Sequence, residues 1–161
     1  LMAGMGGSQA ASVVLALAGA KALTVSAARP GALVLGGDTV IALDGDLVSK
    51  CADMAAARAL LQRMSGKDHL LVSAAVLARD GNVIWRHASP VRLTVRPLSP
   101  AFLDAYLAAE GPAILSSVGC YHYEGRGAQL FDRVEGDYFS VLGLPLLPLL
   151  AALRQEGVIA R

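Results

Sequence analysis

The sequence has few aromatic residues, few charges and only two cysteines. Aromatic residues make up 5% and charged residues 17% of the 161 residues, and the formal net charge is +1. Non-specific nucleic-acid binding needs a broad basic surface, so this charge balance argues against nucleic acid as the main partner. Cys51 and Cys120 are too few for a disulfide framework and form no CxxC zinc motif. We therefore expect a reduced, cytoplasmic protein.

The sequence also lacks a long uncharged apolar run. A membrane span requires roughly 18 to 20 such residues, and the longest run considered, 141–153, is shorter. Residues 2–17 contain no Lys or Arg to begin a signal peptide. Because the chain begins with Leu1, we expect an N-terminal truncation of a single domain, 1–161, that does not enter the membrane.

Several familiar catalytic motifs are missing as well. The sequence has no GxxxxGK[ST], no GxSxG and no HExxH. Its three histidines, His69, His87 and His122, are too scattered to indicate a metal site, so we interpret them as structural.

Four segments have helical patterns, namely 8–23, 52–66, 99–111 and 145–157. Ser8 is the expected N-cap of the first, which places Lys21 in its last turn. Asp53 and Ser99 are the expected N-caps of the second and third, and Pro145 begins the fourth.

The strands are predicted between these helices. "GALVLGG" is typical of a strand buried on both faces, with Asp38 at its carboxyl end. Segments 70–78, 83–88 and 91–98 favour neighbouring antiparallel strands, and the glycine-punctuated segment 118–145 favours short strands and tight turns. The fold class expected is α/β, mixed α+β, with a central mixed, largely antiparallel sheet flanked by helices.

The stretch "GGDTVIALDGDLVSK", residues 36–50, gathers charge beside this apolar run. A carboxylate at a strand end projects into the crevice where open α/β sheets bind ligands, although Asp38 alone could equally cap a turn. Asp44 and Asp46 flank Gly45 in a predicted hairpin turn. That hairpin would return Lys50 towards Asp38. A base beside ammonium groups suits attack on a phosphoryl group.

This stretch resembles the GADTVV-x-DG-x-x-x-GK signature of the Maf family of nucleoside triphosphate pyrophosphatases. The resemblance continues in order through "LALAGAKA", "ARALLQRMSGKDH", "VRLTVRPLS", "YLAAEGP", "VGCYHYEGRGAQLF" and "VEGDYFSVLGLPL". It covers nearly the whole chain from about residue 10. The resemblance favours a functional role for Asp38 over the turn cap.

The resemblance implies hydrolysis of a nucleoside triphosphate to the monophosphate and pyrophosphate, on the Maf/inosine triphosphatase-like fold. By residue, it implies Asp38 as proton acceptor and, with the substrate phosphates, as ligand of a divalent metal, Mg or Mn. Lys21 and Lys50 match lysines that bind phosphate. Thr39 and Glu124 match positions linked to base selectivity. Cytoplasmic location and a homodimer are further expectations.

The sequence departs from the family pattern in three places. The N-terminal S-x-x-R motif is absent, and we expect it several tens of residues before Leu1. Ser49 and Cys51 replace the usual Gly and Pro beside Lys50. Residues 116–119, "SSVG", are closer to the branch that acts on methylated guanosine triphosphate, whereas Thr39 is closer to the pyrimidine branch.

Two other functions stay open from the sequence. One is a non-catalytic nucleotide-binding regulator, since the family is also associated with inhibition of septum formation. The other is an interaction module that uses the apolar segment 141–153 as a dimer face, although core packing is the more common use of such a run.

Overall fold

A five-stranded sheet forms the centre of the structure, a computed structural model that describes residues 2–161 and the side chains from Gly6 onward. The strands are β1 (Val34–Leu43), β2 (Asp46–Val48), β3 (Asp68–Arg79), β4 (Asn82–Val95) and β5 (Phe131–Glu135). They lie in the order β2-β1-β3-β4-β5, and the four described pairs are all antiparallel. The predicted α/β class and largely antiparallel sheet are confirmed.

Helices cover the two faces of the sheet. They are α1 (Met2–Ala28), α2 (Met54–Met64), α3 (Pro100–Glu110), α4 (Tyr138–Val141) and α5 (Leu146–Gln155). Successive residues of a strand point to opposite faces, so Val72 of β3 packs against α1 whereas Leu71 joins the main hydrophobic cluster. That cluster also holds buried residues of α2 and α3.

The helix α1 packs unusually close to β1. The side chains of Ala10, Val14, Ala18 and Ala22 are fully buried on this face of the sheet. A Cβ atom on Gly36 of β1 would meet the carbonyl oxygen of Ala18 and lie 2.8 Å from the backbone nitrogen of Ala22. Only glycine at position 36 therefore allows the two backbones to approach this closely.

The predicted bounds of the first helix were too short. α1 begins before Ser8, which is therefore not its N-cap, and it continues to Ala28. Lys21 lies within the helix and not in its last turn. The helix continues through Thr24 and Val25 because its packing on the sheet outweighs the weak helix propensity of β-branched residues.

The predicted end of β1 was also wrong. β1 continues through Asp38 to Leu43, so Asp38 lies in mid-strand, and the strand is only partly buried. Gly36 and Gly37 do not end the strand, because β3 pairs with every residue from Val34 to Ala42. The site that contains Asp38 is therefore not a crevice at the strand ends of a parallel sheet.

Two segments predicted as separate strands form the single strand β4. It runs through Pro90, which has no N–H to donate to a neighbouring strand. β5 pairs only with Arg92–Val95, so in the described residues β4 has no second partner strand beside Pro90. The predicted alternation is confirmed, with Val91, Leu93 and Val95 buried.

The predicted caps of the middle helices are confirmed. The Asp53 carboxylate accepts a hydrogen bond from the backbone N–H of Ala56 at 2.8 Å, and the Ser99 hydroxyl accepts one from Phe102 at 3.1 Å. α5 follows Pro145 as predicted. Segment 118–145 contains β5, a 3₁₀ turn over Arg126–Leu130 and α4, so only part of it is strand.

One helix in the described residues is long and apolar enough to cross a membrane by length and composition. It is Gly6–Ala28 within α1, where Lys21 interrupts the uncharged run. Helices in the core of a folded protein can have the same length and apolar composition. Of the apolar part of this helix, 33% is buried inside the protein. The expectation that the protein does not enter the membrane stays a prediction.

Candidate active site

A cleft of about 430 Å³ opens beside the middle of β1. β2 pairs only with Ile41–Leu43, so among the described strands the part of β1 that carries Asp38 has a neighbour, β3, on one side only. The cleft brings together three of the predicted site residues, Asp38, Thr39 and Lys50. Its lining residues are Gly37, Asp38, Thr39, Lys50, Leu71, Ser116, Ser117, Val118, Tyr121, Val141, Leu142 and Gly143.

The carboxylate of Asp38 is held through both of its oxygens. Oδ1 accepts a hydrogen bond from the backbone N–H of Thr39 at 2.8 Å. Oδ2 lies 3.2 Å from Nζ of Lys21, which also donates to the carbonyl oxygen of Gly37 at 3.4 Å. The Asp38 side chain is 23% exposed and the Lys21 side chain 60%. Asp38 is thus partly enclosed, whereas a ligand in solvent can reach Lys21.

The hairpin of β1 and β2 places Lys50 at the same cleft. Asp44 and Gly45 both have positive φ, 54° and 86°, which is the geometry of a type I′ turn. The Asp44 carboxylate also lies 3.0 Å from Nζ of Lys67, and this hydrogen bond lowers the pKa of Asp44. The predicted turn is confirmed, and Lys50 lines the same cleft as Asp38.

Thr39 is half-buried and belongs to a hydroxyl network that continues beneath the cleft. Its Oγ1 lies 3.0 Å from Oγ of Ser73 on β3 and 3.4 Å from the carbonyl oxygen of Gly143. Ser73 in turn donates to the carbonyl oxygen of Ser140 at 2.6 Å. The α4 segment that lines the cleft is therefore tied to β1 and β3 through side-chain hydroxyls.

Glu124 lies outside this arrangement. It is exposed in the turn before the 3₁₀ segment Arg126–Leu130, and it is not among the residues that line the cleft. Its predicted role in base selectivity stays a prediction. Ser116 and Ser117, by contrast, do line the cleft.

Behind the cleft wall, Tyr121 is joined to a buried histidine. Nε2 of His69 lies 2.8 Å from the Tyr121 hydroxyl, whereas Nδ1 of His69 is buried and has no hydrogen-bond partner among the described residues. Burial lowers the pKa of His69 to about 4, although the nearby Asp68 carboxylate opposes the shift. Burial also raises the pKa of Tyr121. The interpretation of His69 as structural agrees with this buried, neutral position.

The buried His69 predicts a loss of stability in acid. Its folded-state pKa of about 4 lies below the ordinary value of 6.5, so the unfolded chain binds more protons between these two values. The contribution is complete above pH 6.5 and is lost as the pH falls towards 4, by about 3 kcal/mol in total. Denaturant unfolding at a series of pH values measures it.

A matched pair of variants assigns that pH dependence. His69→Gln keeps a polar partner for Tyr121 but does not titrate, so the fall in stability between pH 6.5 and 4 should become shallower. His87→Gln, at a half-buried position on β4, is the matched control for replacing an imidazole on the sheet. Equal profiles for the His69→Gln and unaltered proteins would contradict this assignment.

A divalent metal is compatible with the cleft only if the substrate supplies most of its ligands. Residues 2–161 contain no group of three or more His, Cys, Asp or Glu side chains placed to hold a metal ion. Mg²⁺ commonly uses one or two carboxylates together with substrate phosphates and water. The single carboxylate of Asp38 fits that pattern, with Lys21 beside its Oδ2.

Sequence reasoning missed Ser73, Ser140 and Tyr121. Ser73 lies in the apolar stretch "LLVSAAVLA", where one serine gives no sign of its partners. Its network joins residues up to 104 positions apart, such as Thr39 and Gly143, so local patterns could not reveal it. The only available signal was a lone polar residue in a strand that is otherwise buried.

The fold and the cleft together define an α/β protein whose site combines one carboxylate, Asp38, with the exposed side chains of Lys21 and Lys50. Residues 4–156 match the family described as "Maf-like protein", and the chain belongs to that family.

Several relatives have printed enzyme names. The chain is 54% identical over 147 residues to "7-methyl-GTP pyrophosphatase" of Mesorhizobium japonicum, which covers 91% of this chain and 74% of the relative. It is 53% identical over 143 residues to "Nucleoside triphosphate pyrophosphatase" of Hyphomonas neptunium, covering 89% and 72%. "7-methyl-GTP pyrophosphatase" of Brucella suis is 52% identical over 143 residues, with the same coverage.

Proposed function

We propose that this protein hydrolyses nucleoside triphosphates to the monophosphate and pyrophosphate, and so removes modified or non-standard nucleotides from the cellular pool. The observation that carries the proposal is the Asp38–Lys21 pair at a cleft that Lys50 also lines, in a chain about half identical to relatives named as pyrophosphatases. A triphosphate brings several negative charges, and both lysines are exposed to receive them.

In the proposed mechanism, Asp38 is the general base. A bound phosphate competes with the Asp38 carboxylate for the ammonium of Lys21, which frees Oδ2 to accept a proton. The carboxylate then removes a proton from the water that attacks the α-phosphorus, and the pyrophosphate leaves in line. Lys21 and Lys50 stabilise the negative charge that develops on the phosphate oxygens.

We propose a divalent cation, Mg²⁺ or Mn²⁺, as the cofactor. Asp38 would hold it together with the substrate phosphates, and the ion would neutralise phosphate charge. Removal of divalent ions with EDTA should therefore stop turnover, and added Mg²⁺ or Mn²⁺ should restore it.

For the base, we propose 7-methyl-GTP as the first substrate to test. Two of the relatives described above are named for it, and Ser116 and Ser117 of the segment that resembles that branch line the cleft. Thr39 lies in the cleft and is proposed to contact the nucleotide. Glu124 is proposed to act in base selectivity from its exposed turn, which requires that turn to approach the bound base.

The proposed setting is the cytoplasm, without membrane or nucleic acid as a partner. The absence of a membrane partner is supported by α1, the apolar helix, which packs on the sheet as part of the fold. A homodimer is proposed through the α4–α5 surface, where Tyr138, Leu142 and Leu147 are exposed while Leu149 is buried. Sedimentation analysis tests the dimer.

The deciding experiment incubates the full-length protein with Mg²⁺ and a panel of 7-methyl-GTP, GTP, UTP, CTP and dTTP. Pyrophosphate and nucleoside monophosphate should appear in equal amounts, and 7-methyl-GTP should have the highest kcat/KM. Release of single phosphates would place the cleaved bond elsewhere. No turnover of any triphosphate would refute the enzymatic proposal.

The non-catalytic regulator of septum formation is the alternative, and relatives with enzyme names do not favour it. An Asp38→Asn protein distinguishes the two, because a regulator should keep any division phenotype in cells after losing hydrolysis.

A further inference from the structure

Ser73 is a fully buried hydroxyl directly beneath the cleft. It lies on β3 opposite Thr39 of β1 and is 0% exposed. Burying a hydroxyl without hydrogen bonds costs roughly 1 to 3 kcal/mol, so its partners matter for the fold. Ser73 has two of them, the Thr39 hydroxyl and the carbonyl oxygen of Ser140.

The hydrogens of this network can be assigned by counting donors. A serine hydroxyl has one hydrogen to donate, and a carbonyl oxygen only accepts. The 2.6 Å contact with the carbonyl oxygen of Ser140 therefore uses the Ser73 hydrogen. Thr39 must then donate its own hydrogen to Ser73 across 3.0 Å. The Gly143 carbonyl oxygen, at 3.4 Å from the Thr39 hydroxyl, is the longer and weaker alternative.

With its hydrogen committed to Ser73, the Thr39 hydroxyl has only lone pairs left for the cleft. Ser116 has the same property, because its hydroxyl donates to the carbonyl oxygen of Ala113 at 2.8 Å. The wall of the cleft thus offers acceptors to a nucleotide, whose amino groups, ring N–H groups and sugar hydroxyls are donors.

We propose that Ser73 is a positioning residue, which fixes the Thr39 hydroxyl as a hydrogen-bond acceptor for a donor group of the nucleotide. The inference rests on the proposed function, since the nucleotide is the ligand. Ser73 itself does not touch the nucleotide; it acts through Thr39. Its bond to Ser140 also holds the α4 segment in place at the cleft.

The test compares Ser73→Ala, Thr39→Val, Thr39→Ser and the Ser73→Ala/Thr39→Val double variant. Loss of one such hydrogen bond predicts an increase in KM of about five- to tenfold for the preferred triphosphate in each of the first two variants, with a smaller change in kcat. Thr39→Ser keeps the hydroxyl and should raise KM much less than Thr39→Val does. The double variant should be no worse than Thr39→Val alone, because Ser73 then has no hydroxyl to orient.

Ser26→Ala is the matched control. Ser26 is 1% exposed, and its hydroxyl accepts a hydrogen bond from the backbone N–H of Gly81 at the β3–β4 turn. The variant should lose stability and keep the unaltered kcat and KM. Ser73→Cys, which replaces the hydroxyl by a larger thiol that is only a weak donor, serves if Ser73→Ala does not fold, and it should raise KM by an intermediate factor.

Two results would overturn the role of Ser73. One is a further five- to tenfold rise in KM when Ser73→Ala is added to Thr39→Val, and the other is a Ser73→Ala protein with unaltered KM. If the unaltered protein hydrolyses no triphosphate, the proposed function fails separately. In that case the same variants are compared by titration calorimetry with 7-methyl-GMP. Kd values in which the effects of Ser73→Ala and Thr39→Val simply add would count against the role of Ser73. A complete lack of binding would count against it as well.

Discussion

Replacing Asp38 by asparagine is expected to lower kcat by about a thousandfold for every triphosphate that the protein hydrolyses. Asparagine has the same shape and can still accept the hydrogen bond from the Thr39 N–H, but it cannot take a proton from water at neutral pH. It also carries no charge to pair with Lys21. Steady-state rates of pyrophosphate release at saturating substrate measure the effect.

Stability should change little in the same variant. The Lys21 side chain is 60% exposed, and ion pairs of that kind contribute at most about 1 kcal/mol. Asp46→Asn is the matched control, because Asp46 is an exposed carboxylate in the same hairpin that does not line the cleft. Its kcat should stay unaltered. An Asp38→Asn kcat within tenfold of the unaltered value would remove Asp38 from the role of base.

Gly36→Ala is expected to cause a large loss of stability together with a loss of activity. The new methyl group would meet the carbonyl oxygen of Ala18 and lie 2.8 Å from the backbone nitrogen of Ala22, and backbone cannot rotate away as a side chain can. Overpacking of this kind costs about 3 kcal/mol, at the upper end of the usual range. The corresponding decrease in Tm is roughly 10 °C for a protein of this size.

The adjacent glycine provides the control for stability. A Cβ atom on Gly37 would have its nearest neighbours at 3.4 and 3.5 Å, which is ordinary contact, so Gly37→Ala should keep a Tm close to the unaltered value. Thermal melts of both variants measure the difference. Equal Tm values for Gly36→Ala and Gly37→Ala would contradict the prediction, because α1 would then move away from the new methyl group without a loss of stability. The kcat of Gly36→Ala should also fall, because Lys21 moves with α1 away from Asp38.

The parts of the fold that depend on local chemistry were predictable from the sequence. Asp53 and Ser99 cap α2 and α3 because a side-chain oxygen reaches a backbone N–H three residues later. The turn at Asp44 and Gly45 follows from residues that tolerate positive φ. These interactions span only a few residues, so the sequence displays both partners together.

The errors arose where distant residues decide the outcome. The Gly-Gly pair before Asp38 looks like the end of a strand, but β3 pairs along it and Gly36 accommodates α1. Pro90 looks like a break between strands. However, no described strand pairs with β4 on the second side of Pro90, so no hydrogen bond is lost by its missing N–H. Lys21 and Asp38 were matched to the family as separate residues. Their 3.2 Å contact depends on how a helix packs on a strand, which no local pattern records.

The packing of α1 also has a consequence for heating. Lys21 is carried by a helix whose buried contacts are mostly alanines, and small side chains bury little apolar area. A helix held by so little apolar area is expected to open locally from the sheet, as the temperature approaches the Tm, more often than the main cluster of the opposite face does. Enzymatic turnover would then disappear before the bulk of the protein unfolds. The temperature of inactivation should lie below the Tm. The difference between the two temperatures would measure how stably α1 holds Lys21 beside Asp38.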